Sequence, residues 1–375
     1  MRFAASAAQL MKKFGSSPIL LTFLLIAVAI TVTAKSPVRA RMTLLSLYTK
    51  SDVVAIGRFN KKEESGTNRV NQGFTIVTTK TSFDISTVLK GEDRKFVTIE
   101  DEDYQYETQQ NGIPKTAVFV DENNARQDEI KPGDTVLLFL TVEGDTVTLV
   151  DDRDGVRKIT AAEQSIFTAR INDLNSIFEA KKIDNKKIAS WLVRCAENAA
   201  TRWDGTHELL QGFRQADWSK EKNKDPNAYE HFDSSVTSDQ GREAAAVLTD
   251  DLKDALTQIL ISPDFAPAGK SNMLSDGDRE LITLVKRWNP TAAARYLVCQ
   301  LKSGAYSAHE NAGMMYKVAE LVGDGRAATL WRQYLETQRD EASTDDKEKA
   351  QSAMLAKFVA IAENTLAQIS STQQN

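Results

Sequence analysis

Three histidines, His207, His231 and His309, are the imidazoles this 375-residue chain offers to a metal or a proton transfer. Thr206-His207-Glu208-Leu209-Leu210 begins as a zinc-peptidase helix does, where two histidines four residues apart grip the metal and the Glu beside the first acts as base. Gln211 occupies the place of the second ligand, so an ordinary histidine at a helix start is the better reading. Asp151-Asp152-Arg153-Asp154-Gly155 has the acids and glycine of a calcium loop. The loop register, however, puts Val150 at its first position and Ala161 at its last, where carboxylates are required. A turn between strands with solvated acids is expected instead. The densest acid run is Glu100-Asp101-Glu102-Asp103, followed by Tyr104, Tyr106 and Glu107. Hard cations collect several carboxylate oxygens, so Ca²⁺ on Glu100, Asp101, Glu102 and Asp103 is the one cofactor these residues suggest. The competing readings are a docking face for a basic partner and a solvated loop between strands.

Nucleophile signatures are missing. No Gly-x-Ser-x-Gly, Gly-x-Gly-x-x-Gly or phosphate-loop motif occurs. A catalytic site would have to join Asp152 or Asp154 to His207 or His231 where the two halves of the chain meet. Cys195 and Cys299, the two cysteines, cannot make a disulfide framework. Both lie in apolar helical stretches and are either two separate buried thiols or one bridge across the helical region.

The elements that would position these residues begin with an address. Arg2, Lys12 and Lys13 lead into the uncharged apolar run 19–34, and Lys35, Arg39 and Arg41 follow it. That run suits an export signal or a single membrane anchor; a buried core helix fits the flanking charges poorly. Val32 and Ala34 are small enough for a signal-peptidase site, and Val38-Arg39-Ala40 offers a second one. Cleavage after residue 34 removes three of 47 basic residues and none of 52 acids, leaving 44 against 52 and a net charge of −8. Such a chain has no basic footprint for nucleic acid or anionic lipid, so contact with a membrane is expected through the N-terminal segment alone, if uncleaved. A mature length of about 340 residues suggests two domains.

From 51 to 160 the chain reads as strands, five in number, at 51–59, 82–89, 96–99, 135–142 and 146–150. A short helix at 42–50 precedes them, and Lys131-Pro132-Gly133-Asp134 supplies turn chemistry before the closing hairpin. Period-2 patterning with tight turns favours a small barrel or sandwich. After Thr160 the period becomes helical, with Ile166, Phe167, Ile171, Leu174, Ile177 and Phe178 on one face. Further helices are expected at 185–201, 205–213, 242–261, 276–288, 290–301, 308–321, 326–337 and 347–369, short connections pairing them antiparallel in a solenoid-like array. A polar interruption at 215–241 carries Trp218, Tyr229, His231 and Phe232, either a binding loop or a surface insertion. A polar tail ends the chain at 371–375.

The order Ser-Asp-Val-Val-Ala-Ile-Gly-Arg-Phe at 51–59, Phe-Asp-Ile-Ser-Thr-Val-Leu-Lys-Gly at 83–91, Phe-Val-Thr-Ile-Glu at 96–100 and Lys-Pro-Gly-Asp-Thr-Val-Leu-Leu-Phe-Leu at 131–140 resembles the netrin-type, tissue-inhibitor-of-metalloproteinases-like OB-fold module. Similar Leu-Lys-Gly domains occur in secreted bacterial proteins. The resemblance covers residues 43–160 and implies a five-stranded OB-like barrel that binds something. The inhibitors of that family chelate a protease's metal through an N-terminal Cys and are stapled by disulfides; this chain has no Cys before Cys195, so no inhibitory residue carries over.

The sequence therefore predicts an α+β protein: an OB-like barrel at 43–160, then a helical domain at 161–370. Its expected role is an extracytoplasmic, periplasmic or secreted, binding protein with a protein partner in the cell envelope. A Ca²⁺-stabilised structural module and an enzyme with a site at the domain junction are the alternatives.

Overall fold

The computed structural model describes residues 41–71, 74–110, 113–118, 130–224, 236–262, 265, 273–339 and 344–373. The expected signal or anchor at 1–34 lies outside them. Residues 41–375 form one compact unit, in which strands give way to helices near residue 160.

An antiparallel sheet follows the short helix α1 (Leu44–Lys50). Its strands are β1 (Val53–Asn71), β2 (Phe74–Lys90), β3 (Phe96–Gln110), β4 (Ile113–Val118), β5 (Thr135–Glu143), β6 (Thr146–Leu149) and β7 (Val156–Lys158). They pair in the order β4-β3-β2-β1-β5-β6, with β7 beside β5. Alternate positions such as Val53, Ala55, Phe59, Val136, Leu138 and Leu140 build the inner core with Phe83, Val97, Ile99, Leu149 and Val156. Val54, Ile56, Leu137 and Phe139 are equally buried on the other face. A strand covered on both faces reads as a continuous apolar run, which is why 135–140 shows so little alternation.

The sheet has seven strands where five were expected. Beyond Phe59 the β1–β2 pairing continues through Lys62↔Thr81 and Thr67↔Val77 to Asn71↔Phe74. Residues 61–68 are all exposed, so no apolar face marks this stretch in sequence. Its partner strand is rich in threonine, whose branched side chain suits the pleat. β4 and β7 were missed because they are short, six and three residues, and β4 carries a proline that breaks the strand pattern.

The helices are α2 (Ala161–Phe178), α3 (Asn185–Glu197), α4 (Arg202–Lys224), α5 (Asp239–Ala246), α6 (Asp250–Ile261), α7 (Asp276–Lys286), α8 (Pro290–Ser303), α9 (Ala308–Val322), α10 (Gly325–Arg339) and α11 (Thr344–Gln373). Several starts carry their reason in the sequence. Thr160 and Glu163 form a reciprocal capping box at α2. Ser275 caps α7, and Asn289 caps α8 with Pro290 in its first turn. Successive helices α7 to α11 pack pairwise, and the long α11 also lies against α8 and α9.

Three boundaries differ from expectation. The helix expected at 242–261 is two, α5 and α6, separated at Val247–Thr249. α4 continues to Lys224, well into the expected loop. α11 runs to Gln373, into the expected tail. Among the described residues no helix is long and apolar enough to cross a membrane.

Candidate functional site

The largest concentration of ionisable chemistry surrounds α4, whose start reads Arg202-Trp203-Asp204-Gly205-Thr206-His207-Glu208. Residues four apart share a helix face, so Asp204 and Glu208 point together, as do Trp203, His207 and Gln211. The first face holds the residues leading into α1. Asp204 Oδ1 accepts the Leu44 N–H at 2.6 Å, and Asp154 Oδ2 accepts the Met42 N–H at 2.7 Å. The Thr43 hydroxyl donates to Glu208, which also accepts the Ser238 N–H at 3.0 Å. Arg157 grips Asp204 with two nitrogens, at 3.0 and 3.2 Å, and donates to the Met42 carbonyl at 2.7 Å. A helix start leaves its first N–H groups without intrahelical acceptors, and burial here denies them bulk water. Carboxylates from α4 and from the β6–β7 turn take that place. Burial pushes the Glu208 carboxyl up to about 8, against the lowering pull of its bonds to Thr43 and Ser238. Gly241 passes so close to Glu208 that a side chain there would collide with the carboxylate.

The other end of α1 is tied to the sheet. Lys90, the lysine of Leu89-Lys90-Gly91, donates to the Tyr48 carbonyl at 2.8 Å and the Ser51 carbonyl at 2.5 Å. Its ammonium also sits 4.3 Å from the centre of the Tyr48 ring. Cations favour a helix C-terminus for the same reason that acids favour the N-terminus. The motif that carried the family resemblance is thus a structural clamp. Tyr48 Oη donates to Asn175 of α2 at 2.9 Å, and Asn175 donates to the Leu89 carbonyl at 2.7 Å, completing the tie.

On the second face of α4, His207 Nδ1 meets Glu280 Oε1 at 2.7 Å, and its ring stacks on Trp203 at 4.7 Å. A histidine oriented by a carboxylate is the arrangement a general base uses. Here its other nitrogen faces the Gln211 amide at 3.3 Å, and the side chain is 8 % exposed. Arg202 and Asp278 form a fully buried pair at 2.6 Å, with the guanidinium 4.1 Å over Phe265. The catalytic combination expected at the junction is not assembled by these bonds. Asp154 is engaged with the Met42 N–H, His207 with Glu280, and His231 lies outside the described residues. None of Arg157, Arg202, Asp204, Asp278 and Glu280 was singled out as a site residue in sequence; the four-residue polar spacing along α4 was the available signal.

The other predicted residues fall apart in space. Trp218 lies on α4 with Lys222 Nζ 4.6 Å from its ring centre; Tyr229, His231 and Phe232 are outside the described residues. The acid run is no loop: it lies inside β3, in register with Lys80↔Glu100, Thr79↔Asp101 and Thr78↔Glu102. Successive side chains of a strand point to opposite faces, so Asp101 is separated from Glu100 and Glu102, and Glu100 pairs with Lys80 at 2.7 Å. Of Asp103 only its backbone place in β3 is described. Among the described residues no three His, Cys, Asp or Glu side chains gather as a metal site would need. The 151–155 segment is a turn, as expected, but Asp151 and Asp154 are buried rather than solvated. Asp151 Oδ1 accepts the N–H groups of Arg153 and Asp154 at 3.1 and 3.0 Å. The possible bridge is corrected too: Cys195 and Cys299 are both free, the first buried in α3 and the second exposed on α8.

Open concavities lie elsewhere. The sheet interior keeps a cavity of about 20 Å³ between Phe59, Phe83, Ile99 and Leu149, room for a water molecule. The helical region carries two grooves of ligand size. One, about 660 Å³, runs between α6 and α8 and is lined by Ile261, Phe265, Arg295, Tyr296 and Cys299. The second, about 410 Å³, lies between α7, α9 and α10, with Met273, Gly313, Tyr316, Lys317 and Trp331 on its walls. Three large apolar side chains exposed on these helices and their flanks, Ile261 at 47 %, Met273 at 43 % and Tyr316 at 49 %, border the grooves. Compared with known proteins, the chain matches no family model and no curated protein.

Proposed function

We propose that this protein is a non-catalytic interaction protein of the cell envelope, exported or tethered through its N-terminal segment, that holds a protein partner on its helical region. One observation carries the reading: the ionisable groups around the start of α4 are spent on structure, while the apolar surface left open is grooved. Asp204, Glu208 and Asp154 hold the start of α1, Arg157 neutralises Asp204, and Arg202 is committed to Asp278. Grooves of 300–1,000 Å³ lined by apolar and aromatic groups are the ordinary form of a binding site. Both fall within that range. The OB-like barrel belongs to the same proposal. The β1–β2–β3 meander, β5 beside β1, and the approach of β6 to β3 support closure into a small barrel. The pairing of successive helices supports a solenoid-like array.

Native mass spectrometry of the full chain, isolated gently from the envelope fraction of its own host, tests the reading. The expected result is a bound protein at fixed stoichiometry that is lost when Tyr316 and Trp331 are both changed to Ala. A lone chain carrying a metal or a turned-over small molecule would overturn it.

A further inference from the structure

Lys317 has no hydrogen-bond or ion-pair partner among the described residues, although it is partly buried in the wall of the α7–α9–α10 groove. Two ion pairs join α7 to α9 beside it, Arg279 with Glu310 and Lys286 with Glu320, both at 2.7 Å. The three cations therefore face two anions, and Lys317 is the one of the three that no ion pair holds. Desolvation, reinforced by the Arg279 and Lys286 charges and opposed by those of Glu310 and Glu320, lowers the lysine's affinity for its proton. An ammonium partly withdrawn from water with no carboxylate in direct contact is costly, and an arriving carboxylate would relieve that cost. One surplus charge is too little to hold a polyanion such as nucleic acid, where many phosphates are neutralised together. Arg279, His309 and Glu310 also line the groove, the first and last paired with each other, and the rest of the wall is apolar and aromatic. The rings of Tyr316 and Trp331 lie 4.9 Å apart, with Met273 and Leu335 beside them. Gly313 lies within α9 at the groove, and a Cβ built there would meet nothing within 4 Å.

We propose that this groove takes an acidic peptide segment of the protein partner, its carboxylate on Lys317 Nζ and a neighbouring large apolar or aromatic side chain against Tyr316 and Trp331. The inference rests on the interaction reading above and adds the chemistry of what is bound. Gly313 is the open place through which that side chain enters. Filling it with a leucine blocks the groove while replacing a helix-interior glycine with a better helix former.

A random peptide library displayed on phage, selected against the immobilised full chain, tests this. Lys317→Met and Gly313→Leu proteins serve as parallel baits. Enriched peptides should carry Asp or Glu within a few residues of Phe, Trp, Tyr or Leu. Changing that acid to its amide should weaken binding to the original protein about 10- to 100-fold, the range of a charge-assisted hydrogen bond, and leave binding to Lys317→Met unchanged. Gly313→Leu should abolish binding without lowering the melting temperature. Peptides that ignore the acid-to-amide change but fail on Gly313→Leu would overturn the carboxylate assignment and leave the groove as an interaction surface. Peptides indifferent to both variants, or no enrichment over an unrelated bait, would overturn the groove itself.

Discussion

Raising the pH from about 5 to about 9 should weaken the hold of α4 on α1. Glu208 is fully buried, and burial lifts its carboxyl from 4.5 to about 8 in the folded chain. Between those values the unfolded chain has released the proton while the folded chain keeps it. The folded state then binds more protons, so stability falls as pH rises through this window and levels off above it. At about 1.4 kcal/mol per pH unit, the ceiling is about 5 kcal/mol. Glu208→Gln keeps an oxygen for the Ser238 N–H and the Thr43 hydroxyl but cannot ionise. Denaturant unfolding of both proteins across the window, taken as a difference, cancels the other titrating groups. The original protein should match or exceed the variant near pH 5 and lose several kcal/mol relative to it near pH 9. Hydrogen exchange over 44–50 should locate the loss. Parallel curves for the two proteins would refute the reasoning, and an original protein that gains on the variant as pH rises would mean that Glu208 is ionised in place.

Replacing Arg157 by Met should cost about 3–5 kcal/mol, because Asp204 is left charged and buried without its counter-ion. Adding Asp204→Asn to that variant should recover part of the loss in thermal melts, whereas strictly additive losses would argue against a coupled pair. Millimolar Ca²⁺ should leave the melting temperature unchanged, since Glu100 and Asp101 lie on opposite faces of β3; a rise reversed by a chelator would sink this. Iodoacetamide on the native protein should add one label, at Cys299, and a second only after unfolding. Burial holds the Cys195 thiol well above its ordinary range, so it stays protonated and unreactive. Complete protection of both would point to the bridge instead.

Sequence pattern located most helices because each buries one stripe on a 3.6-residue period and announces its start, as Ser275 and Asn289-Pro290 do. It failed where backbone pairing outruns any apolar face. In β1 the run stops reading as a strand at Phe59, yet the ladder continues to Asn71 because hydrogen bonds need no hydrophobic side chain. The acid run in β3 was misread as a loop for the same reason. In α4 the reverse held: polar residues after Phe213 suggested an interruption, but the helix continues past Trp218 to Lys224. The ion pairs around α4 join residues 47 and 76 positions apart, a distance over which one sequence carries no signal of pairing.

The residues that looked most like chemistry turn out to answer a structural demand. A seven-residue helix cannot hold its own ends, and α1 lies where the sheet and the helical region leave it little water. Its buried N–H groups require acceptors, and carboxylates supply strong, charge-assisted ones. Buried carboxylates in turn require a cation or a proton. Arg157 supplies the cation to Asp204, and Glu208, without such a partner at hydrogen-bond distance, keeps the proton. Lys90 closes the same helix from the sheet side. The Leu-Lys-Gly segment and the Asp-x-x-x-Glu spacing of α4 are therefore two ends of one clamp, which makes the sheet and the helices a single unit. Lys317 follows the opposite logic: it is partly buried, lines open space and has no ion-pair partner among the described residues, so the demand it creates falls on something outside the chain.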